Sequence, residues 1–98
     1  MYDYDEYIVK DKYCYLKNYN INHLILSQNT KTININTNCQ IRKISISSAT
    51  VIIKLLSCGL EEIDAIEELT QKHIYILDVR GNKIKTNKIN IPIIEYYE

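Results

Sequence analysis

The sequence predicts a β-rich solenoid, built from stacked repeats of about twenty residues. The apolar positions of Ile21–Leu26 recur with the same internal spacing in Ile41–Ile46, twenty positions later. Isoleucine dominates the apolar residues, and all aromatic residues are tyrosines; both residue types favour strands. A fixed period of this length is typical of stacked units, none of which buries its apolar edge alone.

The first half of the chain alternates apolar and polar residues, as strands do. Met1–Asn20 predicts two short strands joined at Lys10–Lys12, and the runs Ile33–Ile35 and Val51–Ile53 predict a second strand in each repeat. Polar stretches between the strands predict turns. They are Ser27–Thr30, Asn36–Gln40 and Ser47–Ala49.

The segment that follows Gly59 has a different pattern. Leu60, Ile63, Ile66 and Leu69 recur at intervals of three, with acidic residues between them. This spacing predicts one amphipathic helix at about 60–72 whose acids face solvent. A strand over Ile74–Val79 and a turn over Arg80–Asn82 are predicted next.

An α+β fold is the alternative prediction. Strands at intervals of nine to eleven residues also describe an antiparallel meander of hairpins, packed on that single helix. The pairing of the strands decides between the two folds, because only a solenoid pairs Leu24–Leu26 in parallel with Ile44–Ile46.

The stretch Ile74–Ile84 resembles the short-period, degenerate type of leucine-rich repeat, L-x-x-L-x-L-x-x-N-x-L. The matching positions are Ile74, Leu77, Val79, Asn82 and Ile84. Ile21–Asn29 and Ile41–Val51 resemble it in part, although Ala49 replaces the asparagine in the second. The resemblance implies a scaffold in which the side chains of Asn29 and Asn82 hydrogen-bond backbone groups between neighbouring turns.

Length and charge narrow the classes of function. The 98 residues suffice for one domain, 1–98. Twelve basic residues balance twelve acidic ones, so the chain lacks the positive surface with which proteins bind nucleic acid. No apolar run is long enough to span a membrane. The N-terminal residues lack the pattern of a signal peptide, which predicts an intracellular, cytoplasmic protein.

The sequence predicts neither a catalytic centre nor a cofactor. His23, His73 and the three cysteines lack the close spacing of metal ligands, so no metal site is expected. In a reducing compartment Cys14, Cys39 and Cys58 are best interpreted as small buried apolar residues. No phosphate-binding loop or nucleophile motif is present, and the chain is predicted not to be an enzyme.

Two hypotheses of function follow. The first is a non-catalytic protein–protein interaction module that binds another protein, with self-association as a further option. The Ile/Asn/Lys/Tyr bias of the composition suits an AT-rich genome. It suggests that the module is a virus- or phage-encoded modulator of a host protein. The second is a small-ligand binding protein that acts as an oligomer and binds anions, with Arg42, Lys43 and Arg80 as the candidate anion contacts. Tyrosines near the two ends either cap the core or form a contact surface. They are Tyr2, Tyr4, Tyr7, Tyr13, Tyr15, Tyr96 and Tyr97.

Overall fold

A computed structural model describes residues 1–35, 38–65, 74–84 and 92–98 of the chain. The described residues form strands that alternate between two parallel sheets, so that the chain winds into a coil of about four turns. One sheet, called sheet A, has the order β1-β3-β5-β7, and the other, sheet B, has the order β2-β4-β6-β8-β9. The strands are β1 Tyr2–Val9, β2 Tyr13–Cys14, β3 Tyr19–Leu26, β4 Thr32–Ile35, β5 Gln40–Ile46, β6 Ile52–Leu55, β7 Glu62–Ala65, β8 Ile74–Asp78 and β9 Ile93–Tyr97.

The register of the strands confirms the predicted solenoid and its period. In sheet A, Leu24 pairs in parallel with Ile44, and in sheet B, Ile33 pairs in parallel with Ile53. Each pair is twenty residues apart. The alternative prediction of an antiparallel meander is wrong, because every strand pairing among the described residues is parallel.

The core lies between the two sheets and consists of stacked apolar columns. Ile21 lies over Ile41, and Ile53 lies over Leu77, all of them almost completely buried. Burial of one such side chain contributes about 1.5–3 kcal/mol to folding. Because each turn adds one member to every column, the coil gains stability by repetition.

The predicted helix at 60–72 is wrong where the structure describes that range. Residues 62–65 form strand β7, which pairs in parallel with β5. The pairing sets Ile63 beside Ile44 and Glu62 beside Lys43, whose ammonium lies 3.8 Å from the carboxylate. These contacts to the preceding turn override the helix-like spacing. Residues 66–72 lie outside the described part of the chain.

Serine and threonine hydroxyl groups join successive turns at the corner between sheet A and sheet B. Ser47 Oγ donates to the carbonyl of Ser27 at 2.8 Å, and Thr50 Oγ1 donates to the carbonyl of Thr30 at 2.8 Å. Asn29 is exposed in this corner, where its backbone N–H donates to Ser27 Oγ at 3.3 Å. The contacts between turns described above are thus made without the Asn29 side chain, by the hydroxyl groups of Ser47 and Thr50 and the carbonyl groups of Ser27 and Thr30.

The opposite corner needs a left-handed backbone in each turn. Asn18, Asn38, Ser57 and Gly81 have φ of 63°, 42°, 51° and 77°, values that asparagine and glycine tolerate best. Asn38 Nδ2 donates to Asn18 Oδ1 at 2.6 Å. At the last of these corners a Cβ on Gly81 would collide with Ser57 Oγ, so the close stacking of the two turns requires glycine.

Asn82 joins that last corner to the turn before it. Its Oδ1 accepts the backbone N–H groups of Cys58 and Leu60 at 2.9 and 3.0 Å. Its Nδ2 donates to the carbonyl groups of Leu55 and Val79. This is the kind of backbone contact between turns that the leucine-rich-repeat resemblance implies for an asparagine.

The three stretches that carry the resemblance do not occupy equivalent places in the coil. Ile21–Asn29 and Ile41–Val51 begin in sheet A, whereas Ile74–Ile84 begins in sheet B. Asn29 and Asn82 consequently lie at opposite corners. The spacing of apolar residues alone does not distinguish the two sheets, because both present the same kind of inward column.

We expect Asn82→Ala to destabilise the protein by about 2 kcal/mol, because it leaves two half-buried N–H groups and two carbonyl groups without this partner. Urea denaturation measures the change. Asn29→Ala is the matched control, and we expect it to alter the free energy of unfolding by less than about 0.5 kcal/mol because that side chain is exposed. Equal losses in the two variants would contradict this role of Asn82.

Candidate functional site

Four tyrosine rings pack together at the N-terminal end of the coil. The ring of Tyr4 stacks on that of Tyr19 with centroids 5.8 Å apart and planes 17° apart. Tyr7 meets both rings edge-on, at 5.1 Å from Tyr4 and 5.4 Å from Tyr19, and Tyr2 lies 5.4 Å from Tyr19. Such geometries stabilise aromatic pairs beyond simple area burial.

The register of β1 explains why the rings gather there. Tyr4 pairs with Ile21, and Tyr7 pairs with Leu24, so the tyrosines continue the inward apolar columns beyond their last aliphatic members. Burial and a hydrogen bond with Tyr19 raise the pKa of Tyr7 above its ordinary value. The cluster therefore caps the core, as the end of a solenoid requires.

Exposed apolar side chains concentrate around this cap. Their exposed fractions run from 42% at Tyr4 to 62% at Tyr2, although side chains of this size are normally buried in large part. We call this surface the N-terminal patch. It consists of Met1, Tyr2, Tyr4, Ile8, Tyr13 and Tyr15.

The remaining predicted tyrosines lie in β9, at the far end of sheet B. Tyr96 is partly buried against the core, and the Arg80 guanidinium carbon lies 5.9 Å from the centre of the Tyr97 ring. The predicted set thus divides between two ends of the coil. Sequence reasoning missed Tyr19, although its position seventeen residues after Tyr2 matches their pairing.

The three predicted anion contacts are not brought together. Arg42 and Lys43 lie in β5 of sheet A, whereas Arg80 follows β8 of sheet B. Each has an acidic neighbour. Arg42 lies 3.8 Å from the carboxylates of Glu61 and Glu62, and Lys43 lies 3.0 Å from that of Asp64.

Arg80 forms a two-pronged ion pair with the buried carboxylate of Asp78. Its Nε donates to Oδ1 at 2.9 Å, and its Nη2 donates to Oδ2 at 2.8 Å. The hydrogen bonds from Arg80 lower the pKa of Asp78 below its ordinary value. The guanidinium group of Arg80, a predicted anion contact, therefore binds the Asp78 carboxylate of the same chain.

The outer face of sheet A carries rows of polar side chains and a cleft of about 560 Å³. Asn20 donates to Asp3 at 3.1 Å, and Asn22 donates to Asp5 at 3.3 Å. Arg42 Nε donates to Asn22 Oδ1 at 2.7 Å. Asp3 and Asp5 make the β1 wall of the cleft acidic. The polar side chains on the rest of its lining are Asn20, Asn22, Gln40, Arg42 and Glu61.

A histidine, a serine and an aspartate form a chain of hydrogen bonds on the same face. His23 Nε2 lies 2.6 Å from Ser45 Oγ, and Ser45 Oγ donates to the Asp64 carboxylate. Because the serine proton is directed at Asp64, the hydroxyl accepts from His23. Catalysis by a nucleophilic serine needs the histidine in the middle, so this order does not activate Ser45.

Asp64 is held in its charged form by this network. Burial acts to raise its pKa, but the hydrogen bond from Ser45 and the ammonium group of Lys43 outweigh burial, so that the pKa lies below its ordinary value. The cluster therefore ties three turns of sheet A together through side chains.

The three cysteines are buried, and none of them forms a disulfide. Burial raises the pKa of Cys14 to about 12 and that of Cys58 to about 11. The thiol of Cys39 donates to the carbonyl of Leu16 at 3.4 Å. Reactive cysteines need an exposed thiolate, and these side chains pack as small apolar residues.

The described residues show neither a cluster of metal ligands nor a helix suited to crossing a membrane. Within 1–35, 38–65, 74–84 and 92–98, no three or more His, Cys, Asp or Glu side chains are grouped to hold a metal ion. Nor does that part of the chain contain a helix that is long and apolar enough to cross a membrane. His73, considered as a ligand from the sequence, lies outside these ranges.

Comparison of the chain with protein-family models, curated proteins and solved structures finds no match. Membership in the leucine-rich repeat family stays a prediction.

We expect the native protein to resist thiol reagents at pH 8, because each cysteine is at least 97% buried and the high pKa values keep Cys14 and Cys58 protonated. A chromogenic disulfide reagent should label all three thiols promptly in denaturant and none in native buffer over the same interval. Prompt labelling of one thiol in the folded protein would contradict this assignment.

Asp78→Asn should lower stability in a pH-dependent way. The folded pKa of Asp78 lies below its ordinary value of 3.8, so its stabilisation is complete above that value and disappears as the pH falls through the folded pKa. Urea denaturation should show a gap in the free energy of unfolding between wild type and variant at pH 7 that narrows as the pH falls below 3.8.

Asp3→Asn is the control for this pH series, because it removes an exposed carboxylate away from the Arg80 pair. A gap for Asp78→Asn that does not narrow at any pH below 3.8 would show that its charge does not stabilise the fold.

Proposed function

We propose that this protein is a non-catalytic interaction module that binds another protein through the N-terminal patch. The observation that carries the proposal is the concentration of exposed tyrosine and aliphatic side chains at one end of the coil. Large exposed apolar surfaces mark interaction sites. Tyrosine is well suited to them because it buries much area and keeps a polar tip.

Two further observations support the proposal. The hydrogen-bond order from His23 through Ser45 to Asp64 favours a structural role for the most enzyme-like residues of the chain. The three buried, unbonded thiols favour a reducing, intracellular location. Composition alone supports the narrower hypothesis of a virus- or phage-encoded modulator of a host protein.

Site-specific photo-crosslinking tests the proposal. A benzophenone amino acid is placed at Tyr13, which is 53% exposed in the N-terminal patch, or at Tyr75, which is 51% exposed on β8. The exposures match, so only the location differs. In the cell that makes the protein, we expect a discrete crosslinked product from the Tyr13 position and none from the Tyr75 position.

Mass spectrometry of the product identifies the partner, including a second copy of the chain. Crosslinks that are equally strong from both positions, or absent from the Tyr13 position, would contradict an interface at the N-terminal patch.

A further inference from the structure

Strand β1 presents an open backbone edge beside the N-terminal patch. Among the described strands, β1 lies at one end of sheet A and pairs only with β3. The Tyr2 N–H and the Val9 carbonyl both bond toward β3, at 2.8 and 3.0 Å. Since alternate residues of a strand address opposite edges, the backbone groups of Asp3 and Ile8 point outward.

The outer face of sheet A has a row of side chains that crosses its strands and in which basic residues lie beside acidic ones. Each turn of sheet A has two consecutive outward residues at equivalent positions. In chain order, these pairs are Asp5–Glu6, Asn22–His23, Arg42–Lys43 and Glu61–Glu62. The basic pair of β5 lies within ion-pair distance of the acidic pair that follows it. The acidic pair of β1 has Asn22 and His23 on its inner side, and on its outer side no described strand lies beside it.

We propose that β1 accepts, as an added strand, an extended segment of another protein that carries a pair of basic residues flanked by apolar ones. Strand β5, Gln40–Ile46, already has this pattern and shows that it fits sheet A. The inference rests on the proposed function, for which it names the chemistry of the partner. Added strands gain affinity from backbone hydrogen bonds and specificity from alternate side chains.

Both faces of the added strand would be satisfied. Its apolar residues would continue the inward columns over Tyr4, Tyr7 and Val9, whereas its basic pair would lie beside Asp5 and Glu6. A second β1 cannot take this place equally well, because like charges on adjacent strands destabilise the pairing. The acidic row thus favours a different, basic segment over self-pairing of this edge.

Fluorescence anisotropy with a defined peptide tests the inference. The probe is a labelled, end-capped peptide that copies Gln40–Ile46, and its control replaces Arg42 and Lys43 by glutamate. We expect the intact protein to bind the basic peptide at least about tenfold more tightly than the acidic peptide at low salt, with a smaller ratio at high salt.

A charge exchange locates the site. The double variant Asp5→Lys, Glu6→Lys should reverse the preference, so that it binds the acidic peptide more tightly than the basic one. The same exchange at Glu61 and Glu62 alters the other acidic pair and should leave the wild-type preference unchanged. Circular dichroism and thermal unfolding establish that the variants keep their fold.

A backbone variant separates strand addition from charge attraction. Ile8→Pro removes one outward N–H of the edge, whereas Ile8→Thr keeps it and loses similar apolar surface. We expect the proline variant to bind the basic peptide about tenfold more weakly than the threonine variant does. The affinities of the two variants should depend equally on salt concentration.

The outcomes distinguish this inference from the function on which it rests. Equal peptide affinities of the two Ile8 variants, no reversal with the lysine variants or no binding of the basic peptide would each overturn strand addition at β1. A crosslinked partner at Tyr13 in the same protein would leave the interaction module standing. Failure of the Tyr13 crosslink together with specific peptide binding would instead confine the interface to the strand edge.

Discussion

The stacking of inward isoleucine and leucine columns between two parallel sheets is the constraint on which the structure depends. A column remains closed to water only if each turn places an apolar side chain over the previous one, as Ile44 does over Leu24. The turns therefore keep their inward positions in register although their lengths differ, from 17 residues between Tyr7 and Leu24 to 24 residues between Ile53 and Leu77. This explains why the corners repeat their chemistry, with hydroxyl groups at one corner and left-handed residues at the other.

The same constraint determines how much of the fold could be predicted from the sequence. The twenty-residue spacing in the first half translates directly into strand register. The segments that begin at Cys39 and Cys58 also share a pattern of apolar residues at a spacing of nineteen, and this spacing is the register of β5 with β7. The spacing of three between Leu60 and Ile63 nevertheless suggested a helix. It is also the spacing of Ile21 and Leu24, because strands of sheet A carry two consecutive outward residues.

The site was less predictable, because an apolar period does not identify the sheet to which a strand belongs. Tyr4 and Tyr97 are both near chain ends, yet they lie at opposite ends of the coil. Ile74–Ile84 likewise resembles upstream stretches in sequence, but it begins in sheet B and they begin in sheet A. Arg42 and Arg80 appeared free in the sequence, but the fold gives each a carboxylate neighbour. Only the pairing of strands supplies that information.

In the proposed function, the N-terminal end of the coil both stabilises the fold and binds the partner. A solenoid must cover its terminal apolar columns, and purely aliphatic caps would leave a surface that associates without selectivity. Tyrosine covers the columns while keeping hydroxyl groups in water. The acidic row of β1 adds selectivity, since its charges oppose a like edge and attract a basic one. A cap of this composition stabilises the isolated chain and still leaves the first strand able to accept a partner.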